Sequence, residues 1–231
     1  ARALHNGGDL IAAIESYRQA IKIKPDYIIA QDNLALALQS AGDIDAAIKA
    51  YKDVLTIKPD YADAYYNLGN ILQNKGDLDA AIESYKKAIK IKPDYAEAYY
   101  NMGIVLKEKG DLDASIESYK QAIKIKPDYA DAYYNKGIAL KAKGDLDASI
   151  QSNKQAIKIK PDYADAYYNM GISLNEKGDI DASIESYKQA IKIKPDYADA
   201  YYNMGNALKE KGDLDASIES YKQAIKIKPD Y

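Results

Sequence analysis

The 231-residue chain contains no cysteine, tryptophan or phenylalanine and only one histidine, His5. Without cysteine there is no disulfide, no thiolate nucleophile and no cysteine metal site, and the redox compartment cannot be read. His5 has no partner set around it and reads as an incidental surface residue rather than a base or a ligand. Apolar runs are short, which excludes a bilayer-spanning helix. A formal net charge of -3 gives no electrostatic case for nucleic acid or an anionic membrane. No signal-peptide pattern opens the chain, and a cytoplasmic location is expected. What remains is 47% hydrophobic and 29% charged, enough apolar surface to bury a core and too much for disorder.

The residues that are present keep time. Prolines stand at Pro25, Pro59, Pro93, Pro127, Pro161, Pro195 and Pro229, every interval being 34 residues. Gly8, Gly42, Gly76, Gly110, Gly144, Gly178 and Gly212 form a second column, and Gly69, Gly103, Gly137, Gly171 and Gly205 a third; only Gly7 is left over. All 23 tyrosines sort into four columns headed by Tyr17, Tyr27, Tyr65 and Tyr66. A fixed period of this length is the signature of a repeat architecture.

Residues 62–95 show what one period encodes. Tyr65, Leu68, Gly69 and Leu72 follow i, i+3, i+4, i+7, one stripe of a helix. Gly76 after Lys75 predicts a left-handed C-terminal cap, and Asp77 the N-cap of a second helix. Leu78, Ala81, Ile82, Tyr85, Ala88 and Ile89 stripe that helix until Pro93 stops it. Asp94 is expected to cap the next helix, with Glu97 at capping-box spacing. The Gly69 column predicts close backbone approach, with Ala81, Ser115, Ser149, Ser183 and Ser217 as its small partner column.

This unit resembles the tetratricopeptide repeat. Tyr65, Leu68, Gly69, Leu72, Ala81, Tyr85, Ala88 and Pro93 occupy the family's motif positions, with Tyr65 where tryptophan is usual. The match recurs from residues 96, 130, 164 and 198; residues 28–61 match more loosely, with Gln31, Ala35 and Val54 departing. The resemblance implies an all-α fold, a right-handed α-α superhelix of antiparallel helix pairs, with first helices on the concave side. It divides the single array 1–231 into a truncated repeat 1–27 and full repeats 28–61, 62–95, 96–129, 130–163, 164–197 and 198–231. Residues 1–8 are expected to supply only the end of a first helix. With no polar capping helix after Tyr231, the chain is expected to be part of a longer protein and to associate head to tail through uncapped ends.

The face opposite the apolar stripe is where binding is expected. Asn33, Asn67, Asn101, Asn135, Asn169 and Asn203 form an unbroken column; Tyr66, Tyr100, Tyr134, Tyr168 and Tyr202 run beside it, and Asn70 shares the side. An exposed Asn offers the donor and acceptor that match a peptide backbone, and Tyr adds contact area at low entropy cost. The Asn column resembles the ladder of the repeat domain of O-linked N-acetylglucosamine transferases. Duplication alone also copies any residue, so recurrence is not by itself evidence of binding. Asp63, Glu97, Asp131, Asp165 and Asp199 line the edge and serve first as first-turn helix residues.

The expected function is therefore a protein-interaction scaffold holding an extended peptide in the groove. The alternative is a substrate-recruiting arm of a glycosyl- or sulfotransferase. Acidic chaperone tails lack their Lys and Arg partners here, so the segment bound should be neutral to basic. No catalytic set, cofactor, metal site, nucleic acid or membrane partner is implied: the serines lack a base, and Asp77 with Asp79 is explained by capping. One repeat departs from its own columns at Lys136 and Asn153. Lys136 is expected to run along its apolar stem or to hydrogen-bond Asn153, with a weak hinge as the alternative.

Overall fold

The computed structural model describes residues 9–230, so the expectations for His5, Gly7, Gly8 and the opening helix end lie outside the described residues. The described chain is helical, without strands, and divides into two compact units, the first ending at Gly110 and the second beginning at Asp111. The first holds α1 (Leu10–Ile23), α2 (Ile28–Ser40), α3 (Ile44–Ile57), α4 (Ala62–Lys75), α5 (Leu78–Ile91) and α6 (Ala96–Glu108). The second holds α7 (Leu112–Ile125), α8 (Ala130–Ala142), α9 (Leu146–Ile159), α10 (Ala164–Lys177), α11 (Ile180–Ile193), α12 (Ala198–Lys211) and α13 (Leu214–Ile227). Within each unit consecutive helices pack on one another as antiparallel hairpins.

The α4–α5 corner shows why the hairpin forms. Gly76 takes φ 85°, a conformation that a side chain would strain, and the Asp77 N–H reaches back to the Leu72 carbonyl at 2.9 Å. The Asp77 carboxylate then accepts from the Ala80 N–H and starts α5. At the other end α5 stops at Ile91, where Lys92 turns extended before Pro93. The start of the following helix differs from the sequence expectation. Tyr95, not Asp94, is the N-cap of α6, and it makes no side-chain cap hydrogen bond. Asp94 contributes its carbonyl, which accepts from the Ala96 N–H at 3.1 Å, so the capping box with Glu97 does not form.

The core follows the stripes. In the first unit Tyr51, Val54, Leu68, Ile71, Leu72 and Tyr85 are buried in one cluster. In the second, Ile184, Tyr187, Ala207 and Leu208 repeat the arrangement. The glycine column has a different partner from the one expected. A Cβ on Gly69 would lie 2.6 Å from Cε1 of Tyr85, and Gly171 stands in the same relation to Tyr187. These glycines admit a tyrosine ring from the second helix rather than a neighbouring backbone. The small column touches the glycine column at Ser217, whose hydroxyl donates to the Gly205 carbonyl at 2.8 Å.

Candidate functional site

The predicted binding residues sit on the first helix of each hairpin, and most are tied into the structure. Asn101 on α6 donates from Nδ2 to Tyr66 Oη at 3.1 Å and to Asn70 Oδ1 at 2.8 Å. Tyr85 Oη also donates to Asn70 Oδ1, at 2.8 Å. Asn70 is therefore a junction between hairpins, not a free groove residue. In the second unit Asn169 donates to Tyr134 Oη at 3.1 Å and Asn203 to Tyr168 Oη at 2.8 Å. Asn33, Asn135 and Asn169 each donate to the carbonyl four residues back. Asn67 lies against the buried Tyr51 hydroxyl.

All six asparagines, with Tyr66, Tyr100, Tyr134 and Tyr168, are half-buried; Tyr202 is exposed. The expectation of asparagines offering donor and acceptor freely to solvent is thus corrected. In Asn101, Asn169 and Asn203 the amide nitrogen is spent on a rung to the preceding hairpin. The 34-residue period makes this possible, since it sets residue n+35 beside residue n on the next helix of the same kind. The tyrosine of each rung is itself wedged: Tyr66 lies 4.9 Å from the Tyr95 ring, and Tyr134 and Tyr168 meet Tyr163 and Tyr197 at the same spacing.

The Tyr27 column, to which the sequence pattern assigns no role, ties hairpin to hairpin. Tyr163 Oη donates to Asp131 at 2.9 Å and Tyr197 Oη to Asp165 at 2.8 Å. The edge carboxylates therefore anchor the tyrosines between hairpins as well as sitting in a first turn. Burial, then the Asp165 hydrogen bond, pushes the Tyr197 hydroxyl far above the ordinary phenol range, which keeps it a donor. The signal was available, because Tyr27 and Asp63 run on the same clock; what was hidden was which two columns meet.

At the atypical positions the expected Lys136–Asn153 hydrogen bond does not form. Asn153 is fully buried, and its Nδ2 donates to the Ser149 carbonyl at 3.0 Å, not to Lys136. The Lys136 amine instead lies 5.4 Å from the Tyr133 ring centre. Among the described residues no three His, Cys, Asp or Glu are grouped to hold a metal, and no helix is long and apolar enough to cross a membrane.

The TPR-repeat pattern matches residues 1–42, 38–76, 74–110, 105–144, 137–174 and 173–212, and the tetratricopeptide-repeat pattern residues 198–231. The chain belongs to the tetratricopeptide-repeat family. Members of this family are in general scaffolds for protein–protein contact. No curated protein matches the chain. Among solved structures, MamA is 33% identical, with a TM-score of 0.68 over 73% of this chain and 92% of that one. YrrB, described as a TPR protein with an unusual peptide-binding site, is 25% identical, with a TM-score of 0.70 over 81% of this chain and 96% of its own. The C-terminal part of a TPR protein from Cytophaga hutchinsonii shares the fold at 16% identity, with a TM-score of 0.83 over 99% of this chain and 94% of that one.

Proposed function

We propose that the tetratricopeptide array, made of the full repeats counted above, binds an extended, neutral to basic peptide segment along the Asn and Tyr face of its first helices. What supports the reading most is the rung between hairpins. With Nδ2 of Asn101, Asn169 and Asn203 held from behind, each amide plane is fixed, and its oxygen is the atom left to accept from an incoming backbone N–H. A fixed acceptor loses little entropy on binding. The exposed carboxylates Asp63, Glu97, Asp131 and Asp199 give the same face its preference for Lys- or Arg-bearing segments. YrrB is a neighbour that carries a peptide-binding site. The resemblance of the Asn column to that of glycosyltransferase repeat domains leaves a second reading, in which the same face recruits substrates for a catalytic domain.

The test is peptide-array capture by the chain and by a variant with Asn67, Asn101, Asn135 and Asn169 changed to Ala, both checked for helix content. Capture should fall at least about tenfold, the worth of one or two backbone hydrogen bonds. Equal capture by a variant with intact helix content sinks the proposal. A Tyr202→Ala variant, at an exposed position whose loss leaves the rungs in place, guards against simple unfolding as the cause.

A further inference from the structure

The hairpin of α8 and α9 departs from its columns at Lys136, Ala142, Gln151 and Asn153, and two of these line one groove. Lys136 stands where Leu68, Met102, Met170 and Met204 stand, and Gln151 stands where Glu83, Glu117, Glu185 and Glu219 stand. Both line one cavity of about 700 Å³ in the second unit, with Ile116, Tyr133 and Leu140 as its apolar wall. Asn153 is fully buried.

The other hairpins supply the comparison. The groove holding Leu68 and Glu83 measures about 480 Å³, and the one holding Met204 and Glu219 about 320 Å³. At these two columns one exchange adds a cation and the other removes an anion, so positions 136 and 151 together are two charges more positive than Met204 with Glu219, in a lining whose three lysines and three carboxylates balance. The remaining charged groups in it are occupied. Lys143 is bonded to Asp113, Lys120 lies 3.7 Å from Glu117, and Asp145 caps α9 by accepting from the Ala148 N–H. Among the described residues Lys136 makes no hydrogen bond or ion pair, and its amine lies over the Tyr133 ring. Burial, and then the nearby Lys120, hold its amine below the ordinary lysine range, so the charged form is short of a counterion.

We infer that this cavity is a second binding site, taking a carboxylate side chain of an acidic peptide with an apolar neighbour. Lys136 receives the carboxylate, Gln151 the adjoining amide, and Ile116 with Leu140 the apolar side chain. A carboxylate fits better than a phosphate because a single uncompensated cation matches a single negative charge and leaves the second charge of a phosphate dianion without a partner. No residue of the Asn and Tyr face lines the cavity, so the site is independent of that face.

The test is amide NMR titration of the full chain with acetyl-Leu-Glu-Leu-amide, its Gln counterpart, and inorganic phosphate. The Glu peptide should give saturable shifts confined to residues 113–155. The Gln peptide, lacking the charge-assisted bond, should bind roughly tenfold more weakly or less. K136M, which restores the residue type of the column, should remove the difference. Transplanting the pair as M204K with E219Q should create a second carboxylate site around Tyr201. Equal binding of Glu and Gln peptides, binding unchanged by K136M, phosphate binding tighter than the Glu peptide, or no saturable shift each overturns the inference.

Discussion

Single side chains carry the departures from the repeat, and their costs can be read one by one. Asn153 is buried with Oδ1 lacking any hydrogen-bond partner, and an unsatisfied buried acceptor costs about 1–3 kcal/mol. Sibling hairpins place a tyrosine there, received by a glycine, and this hairpin retains that glycine as Gly137. Asn153→Tyr should therefore stabilise the chain by about 1–3 kcal/mol in urea unfolding; a loss would mean that the site has closed around the smaller amide. Asp32 is the second case. It occupies the Tyr66 column, and burial, then the charge of Asp63, raises its folded-state pKa. A carboxyl that holds its proton more tightly when folded weakens the fold as pH rises from its unfolded value through the raised one. Asp32→Asn should raise the unfolding midpoint at pH 7 and lose that advantage near pH 3; a benefit independent of pH would assign the effect to shape.

The tight turns and helix stops are the most legible part of the sequence. Gly76, Asp77 and Pro93 each dictate one local event, and each event occurs where it is encoded. The α-helical hairpin followed from them, because two apolar stripes separated by a tight turn have nowhere to bury except against each other. Contacts between columns were harder to read, since a 34-residue period says that columns exist and not which ones touch. Thus the period does not reveal that Gly69 receives the Tyr85 ring, nor that the nitrogens of Asn101, Asn169 and Asn203 bond the Tyr66 column. The ring pairing has a measurable consequence. Gly171→Ala drives a methyl to 2.6 Å from a rigid ring held in the core, an overpacking worth about 1–3 kcal/mol. Gly137→Ala meets the Nδ2 end of Asn153 at 2.8 Å, an amide that can swing aside, so its cost should be the smaller of the two. Equal losses in parallel denaturation curves would show that ring rigidity is not what sets the difference.

At the scale of a compact unit, stability is close to a sum of hairpin terms and nearest-neighbour terms, because within each unit a hairpin packs on the ones beside it. Such a chain does not open uniformly; it opens where the local sum is smallest. The α8–α9 hairpin combines an unsatisfied Asn153 oxygen with an unpaired, half-buried Lys136. The bridges from Lys143 to Asp113 and from Lys177 to Asp147 that border it are exposed and add little. The amides of α8 and α9 should therefore exchange hydrogen faster than those of α4, α5, α10 and α11, which carry the standard Tyr85 and Tyr187. Asn153→Tyr should bring them level, and the Glu peptide should protect them in the wild-type chain but not in K136M. Uniform exchange across all hairpins would contradict the premise, since it would mean that the array unfolds as one cooperative body in which a single weak hairpin has no separate existence.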